Sequence, residues 1–283
     1  MKLVELFTLD KLEQDLFRGQ SWDLGFRALF GGQVLAQALA AAQLTLPEER
    51  IAHSFHSYFL LPGDAQKPVV FDVENVRNGR SFSTRRIKAI QNGKNIFYMT
   101  ASFQCPEVGL DHQAAVMPNV PAPESIPSDT ILSEYLVIKA TNNESESVLN
   151  QTPIDMRTVQ TIDLVNPEVQ EPTRYIWMKA REALSGNINL NQVMLAYASD
   201  SNFLATSLQP HGISIRDKHL RIATIDHSMW FHHPFDFDDW LLYCAESPFT
   251  GSARGLVRGQ FFNRDGKLVA SAMQEGLMRK VES

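Results

Sequence analysis

Three short patterns occur twice in this chain, in the same order. The run Gly31-Gly-Gln-Val-Leu-Ala-Gln-Ala-Leu-Ala-Ala-Ala42 has helical character, and its Gln33-Val34 can be laid on Gln192-Val193, 159 positions later. His53-Ser54 recurs as His227-Ser228, each pair followed by aromatic residues and a proline, through Pro62 and Pro234 respectively. Asn92-Gly-Lys94 recurs as Asp265-Gly-Lys267, 173 positions later, and each opens a run suited to a strand. Every match is short, but a common order at similar spacing is what an internal duplication leaves behind. A duplication constrains the fold strongly. Whatever one copy forms the other forms too, and the two must bury faces that neither can cover alone.

Each copy reads as one helix followed by strands. In the first, strands are expected over Ser54–Leu61, Val69–Val76, Ser81–Gln91 and Asn95–Gln104. In the second they are expected over Arg221–Phe231, Trp240–Ser247, Ala253–Phe262 and Lys267–Arg279. Phe, Val, Thr and Tyr fit a half-buried pleated surface. Asn78-Gly79, Asn92-Gly93 and Asp265-Gly266 have the backbone freedom of tight hairpins. The pattern predicts an α+β fold of two antiparallel sheets, each wrapped around one long helix. Two fused copies imitate a two-fold dimer, so the sheets should meet side by side and cover each other's edges.

The expected division is an N-terminal unit over 1–110, a connector over 111–170 and a C-terminal unit over 171–283. Pro106–Pro127 contains five prolines and reads as loop. Within the connector, Ser133–Lys139 reads as a short helix and Asn142–Ser147 as a polar surface segment.

Composition removes several function classes. A net charge of -6 gives no support to nucleic-acid binding. Arg85, Arg86 and Lys88 read as one solvated strand face. Cys105 and Cys244 form neither a disulfide framework nor a Cys-x-x-Cys zinc pair. No uncharged apolar run reaches membrane-spanning length, and Met1–Asp10 carries acids within its apolar residues, unlike a signal peptide. No metal or cofactor site is readable. His53 and His56 fall on opposite faces of one strand, and His227, His232 and His233 lack an acid at ligand spacing. Gly-x-Ser-x-Gly, P-loop and dinucleotide fingerprints are absent.

Asn189–Leu204 carries an apolar stripe at helical spacing: Leu190, Val193, Met194, Tyr197, Phe203 and Leu204. Asp200 falls at the edge of that stripe. Taken alone, such an aspartate is a cap or an exposed edge residue, Thr224 is a sheet former, and Gln274 is one polar strand residue among many. The 159-position match lays Asp200 on Ala41, which has no acid–base chemistry, so only the second copy would carry a carboxylate.

Four stretches together resemble the acyl-CoA thioesterase II family: Phe30–Leu39, His53–Gly63, Ala196–Asp200 and Ile225–Pro234. The resemblance covers nearly the whole chain. It implies a double hotdog fold and hydrolysis of fatty acyl-CoA, mainly of medium to long chain, to free acid and CoA. It also implies three catalytic residues, Asp200, Thr224 and Gln274, around an activated water. No metal or cofactor is implied, the partner is the acyl-CoA substrate, and a homo-oligomer (dimer or tetramer) is expected. Phe59, Tyr58 and Trp230 are candidates for lining an acyl tunnel. The tail Arg279-Lys-Val-Glu-Ser283 lacks a Ser-Lys-Leu address, so a cytoplasmic protein is expected. The competing readings are a non-catalytic acyl-CoA binding module and an enoyl-thioester hydratase.

Overall fold

The computed structural model describes residues 3–25, 28–127, 153–160, 166–184, 186–215 and 217–281. The helix expected over Ser133–Lys139 and the polar segment Asn142–Ser147 lie outside the described residues.

The first unit begins with α1 (Leu3–Leu6), β1 (Asp10–Glu13) and β2 (Leu16–Gly19). Then come α2 (Gly31–Gln43), β3 (Ile51–Phe59), β4 (Val69–Asn78), β5 (Phe82–Gln91) and β6 (Lys94–Gln104). The second comprises β7 (Ile154–Thr158), β8 (Thr173–Ala180), α3 (Ile188–Ser199), α4 (Phe203–Leu208), β9 (Leu220–Thr224) and β10 (Asp226–Phe231). It closes with β11 (Leu241–Gly251), β12 (Arg254–Phe262) and β13 (Leu268–Lys280). All 13 strands of the described residues form one antiparallel sheet in the order β1-β2-β4-β5-β6-β3-β10-β13-β12-β11-β8-β7, with β9 also on β13. Read from the middle outward the two halves match strand for strand. The expected side-by-side meeting is the β3–β10 pair, where Ser57 faces His227 and Phe55 faces Met229. This is the double hotdog: one continuous sheet, with two long helices packed together inside it.

The strand registers expose the duplication more sharply than the short motifs do. Ile96 is an extra residue where β6 meets β5, and Val269, 173 positions on, is the extra residue where β13 meets β12. His53 bulges from β3 against β6, and Ile225, 172 positions on, separates β9 from β10. The cross-strand ion pair Arg86–Glu74 reappears as Arg258–Glu246, both residues shifted by 172. A bulge kept at the same place in both copies is a conformational feature of the unit itself. On this register Phe55, not His53, is the counterpart of His227. The two His-Ser pairs lie on equivalent strands but two residues apart.

α2 is alanine-rich and enclosed on all sides, with Gly32 through Ala42 buried. A helix that is apolar all round belongs in an interior, and small side chains let two such helices approach backbone to backbone. A Cβ on Gly32 would collide with the Tyr197 carbonyl oxygen of α3. The helix expected to run through Leu204 instead ends at Ser199. Asp200 is its C-cap, Asn202 takes a left-handed φ of 68°, and α4 starts a new axis at Phe203. Asn tolerates this conformation better than most residues. Spacing alone could not see the break, because α4 restores the apolar stripe.

The two helices begin at Gly31 and Ile188. That 157-position relation places Asp200 on Gln43, which corrects the match to Ala41. The glutamines that suggested the longer offset do different things. Gln33 accepts from the Trp22 N–H, whereas Gln192 donates to the Ala52 carbonyl. Arg85 is a second correction. Alternation puts it on the inner face, opposite Arg86 and Lys88, where it is 2% exposed. There it donates to Thr45 Oγ1 at 2.8 Å and to the Thr45 carbonyl at 3.3 Å, just past the end of α2.

Candidate active site

Four elements converge on Asp200. It closes α3, so its side chain leaves the helix end toward α2. Gly32, in the first turn of α2, donates its N–H to Asp200 Oδ2 at 2.9 Å. Phe30, the N-cap of α2, offers no side-chain cap, and Asp200 from the other unit fills that role. A carboxylate at a helix N-terminus meets the positive end of the helix dipole.

The other oxygen faces two side chains from the sheet. Gln274 on β13 donates its amide N–H to Asp200 Oδ1 at 3.1 Å and to Thr224 Oγ1 at 2.7 Å. Thr224, the last residue of β9, reaches Oδ1 at 3.5 Å. β9 and β13 pair so that Thr224 stands opposite Gly276, and alternation sets Gln274 on the same face as Gly276. The three residues expected from the sequence are therefore brought together, with donors arranged about one carboxylate. Gln274 is 1% exposed, while Asp200 and Thr224 are partly open.

Burial pushes the Asp200 carboxyl up to about 7, against the hydrogen bonds from Gly32, Gln274 and Thr224, which favour the charged form. Desolvation wins because these are three neutral donors, and no cation stands beside the carboxylate among the described residues. A carboxyl poised near neutrality is suited to accept a proton from water and to release it again.

Phe59 also borders the site. A Cβ on Gly31 would lie 2.7 Å from Asp200 Oδ2 and 3.1 Å from the Phe59 ring. Tyr58 and Trp230 do not border it. They lie on the outer face of the sheet, where Tyr58 stacks on Tyr98 and Trp230 meets the edge of His56. Strand alternation at Phe59 separates these aromatics into two groups that sequence proximity had merged.

Known proteins resemble this chain over nearly its whole length. A family model described as acyl-CoA thioesterase matches residues 146–277, and one described as acyl-CoA thioesterase N-terminal domain matches residues 19–104. Acyl-CoA thioesterase 2 of Haemophilus influenzae is 43% identical over 277 residues, 98% of this chain and 96% of that protein. The chain belongs to the acyl-CoA thioesterase II family. The crystal structure of an acyl-CoA thioesterase II from Mycobacterium marinum superposes with a TM-score of 0.79 at 36% identity, covering 98% of both chains. A hot dog fold protein from Alicyclobacillus acidocaldarius, 22% identical, has the same fold at a TM-score of 0.78 over 98% of both chains.

Within this family fold, sequence reasoning missed two participants. Gly32 was readable only as part of a small-residue helix. Its role depends on α2 meeting α3 across the two units. His227 was set aside because no acid stands at ligand spacing from it. It is wholly buried, with Nδ1 at 3.2 Å from Gln274 Oε1 and Nε2 at 3.0 Å from Ser199 Oγ. Burial lowers its pKa to about 4, so the ring is neutral.

Proposed function

We propose that the protein hydrolyses fatty acyl-CoA thioesters, mainly of medium to long chain, to free acid and CoA, with Asp200 as the base for an attacking water. The observation that carries this reading is the pair of donors, Thr224 and Gln274, aimed at one oxygen of a largely desolvated carboxylate of raised pKa. A water held against Oδ1 meets a hydroxyl and an amide that fix its direction, so the approach to the carbonyl is prepared in advance. Asp200 takes the water proton as the oxygen bonds to the acyl carbon. The tetrahedral intermediate then collapses, the C–S bond breaks, and the thiolate of CoA takes up the proton. No covalent acyl-enzyme is required, because a thioester carbonyl is electrophilic and a thiolate leaves readily. The Gly32 N–H is committed to Oδ2, so it anchors the base rather than serving the developing oxyanion.

The family to which the chain belongs supports the substrate class. Release of free thiol from C2 to C18 acyl-CoAs tests it. Turnover rising with chain length into the medium and long range is expected, because each buried methylene contributes up to about 0.8 kcal/mol. Fast turnover confined to C2, or to aromatic acyl groups, overturns the reading. No described helix is long and apolar enough to cross a membrane. On the family resemblance we propose a dimer or tetramer, which light scattering checks, and we further propose a cytoplasmic protein, which fractionation checks.

A further inference from the structure

We propose that His227, backed by Ser199, is a positioning residue that fixes which end of the Gln274 amide faces Asp200. This rests on the assignment of Asp200, Thr224 and Gln274 given above. A glutamine amide has a donating end and an accepting end of nearly the same shape. In the observed arrangement the NH2 end serves Asp200 Oδ1 and Thr224 Oγ1, which leaves Oε1 turned to His227 Nδ1 at 3.2 Å. That contact is a hydrogen bond only if Nδ1 carries the proton. The neutral ring then has its lone pair on Nε2, and Ser199 Oγ, 3.0 Å away, donates to it. Ser199 has a competing acceptor in the Ala196 carbonyl at 2.8 Å, but only the Ser199-to-Nε2 bond satisfies both ring nitrogens. With the proton on Nε2 instead, a lone pair on Nδ1 would face the Gln274 carbonyl inside the core, an unmade pair of buried polar groups.

The ring is held on every side. β3 supplies Phe55, stacked at 6.0 Å, and α4 supplies Phe203, edge-on at 5.2 Å. β13 supplies Gln274 and α3 supplies Ser199. Among the described residues neither an acid nor a base bonds to the ring. The Ser57 hydroxyl also holds the His227 backbone carbonyl at 2.7 Å, across the seam between units. A polar ring locked into apolar packing at a full hydrogen-bond count supports a single orientation of its partner.

The orientation matters during turnover. While Asp200 is a carboxylate, its charge alone keeps the Gln274 NH2 end toward it. Once Asp200 has taken the water proton, it becomes a donor, and a Gln274 rotated end for end would accept from it. The amide would then stabilise the protonated acid and retard its return to the carboxylate. The Nδ1–H of His227 holds the carbonyl end of Gln274 throughout, so the amide meets each new water as a donor.

Two experiments read this. Histidine-selective 15N NMR of the full chain near neutral pH is expected to show His227 as the Nδ1–H tautomer. An Nε2–H ring overturns the proposal, and this readout needs neither activity nor a variant. The second is a comparison of His227→Leu and His227→Asn in acyl-CoA hydrolysis. Asn carries its NH2 at the bond distance of Nδ1 and keeps a donor there; Leu does not. For His227→Leu, kcat is expected to fall about 10²-fold, the scale of a small misplacement of a catalytic group, with KM within twofold. The acid limb of its kcat/KM profile should move to higher pH, since a Gln274 free to rotate accepts from the protonated Asp200 and stabilises that form. The groups around Asp200 that set that limb are the Gly32 N–H, Gln274 and Thr224, with the Tyr197 and Tyr243 phenols nearby. His227→Asn should recover most of the rate and return the limb. A folded His227→Leu with kcat within twofold and an unmoved limb overturns the proposal. So does a folded His227→Asn as impaired as the Leu variant, and it decides alone with the NMR if His227→Leu does not fold. Asp200→Asn, run alongside, isolates the underlying assignment: unchanged kcat there removes the base itself, whatever tautomer His227 shows.

Discussion

Asp200 ends one helix and caps the other. The sequence suggested a choice between a capping aspartate and a catalytic one, but the structure assigns the capping bond to α2 of the opposite unit. That leaves Oδ1 for Gln274 and Thr224. Asp200→Asn keeps the size and an accepting oxygen but removes the proposed base. Its kcat is expected to fall by about 10²- to 10⁴-fold, and kcat/KM of the parent protein should rise with pH through about 7 as the carboxyl ionises. Stability follows the opposite sign. The folded-state value lies above the ordinary 3.8, so between these the folded chain holds a proton that the unfolded chain has released. Stability from this group is present below the ordinary value and is lost as pH rises through about 7. Asp200→Asn should therefore melt a few degrees higher than the parent at pH 8 and no higher at pH 4. A lower melting point at pH 8 would show that the carboxylate is structurally required. The contrast with His227 marks what was legible at this scale. Asp200, Thr224 and Gln274 sit in motifs that a family pattern can mark. The value of His227 depends on a neighbour 47 positions away on another strand, and alternation within its own strand carries no trace of that.

At the scale of elements, the site depends on how closely α2 approaches α3. Gly32 sits where a methyl group would strike the Tyr197 backbone carbonyl, and a carbonyl in a helix cannot move aside as a flexible side chain can. Gly32→Ala is expected to push the helices apart, lengthen the bond from its N–H to Asp200, and lower both stability and kcat. Overpacking of this kind costs about 1–3 kcal/mol. Gly93 supplies the comparison. It occupies the β5–β6 hairpin at φ 71° with open space around it, so Gly93→Ala costs about 1–2 kcal/mol from backbone strain alone and should leave kcat unchanged. Denaturant melts with steady-state rates check both; a Gly32→Ala enzyme of normal kcat would detach helix approach from function. The strands from β3 to β6 and from β11 to β13 were legible because period-2 patterning and turn residues act locally, whereas the single strand expected over Arg221–Phe231 is two, β9 and β10, broken at Ile225. β1, β2, β7 and β8 were not. β1 and β2 are four residues each, and the burial of β8 on β11 is decided by a partner distant in sequence. Ile154–Thr158, within the stretch expected as connector, joins the sheet as β7 for the same reason.

At the scale of the whole molecule, the duplication builds the site once. The strand registers lay Thr224 on Ala52 and Gln274 on Ala101, both buried methyl groups. The helix starts lay Asp200 on Gln43, whose amide reaches the Asn189 carbonyl and side chain at the beginning of α3. At the candidate site a carboxylate meets a bare glycine N–H at the start of α2. In the other half a neutral amide closes against Asn189. Asn187 already caps α3 through the Leu190 N–H, so that helix start is capped by its own chain. The second location thus lacks the base, both donors and the open helix start. A non-hydrolysable acyl-CoA thioether titrated calorimetrically is expected to bind once per chain, and two equal sites per chain would contradict this account. Gln43→Asp, placed in the Asp200→Asn background, tests it catalytically. It restores a carboxylate at the mirrored position, but Ala52 and Ala101 offer nothing to orient a water, so thioester hydrolysis should stay at the Asp200→Asn level. Recovery of even a tenth of the parent kcat would mean that a carboxylate at a helix end suffices, and that Thr224 and Gln274 contribute far less than their geometry indicates.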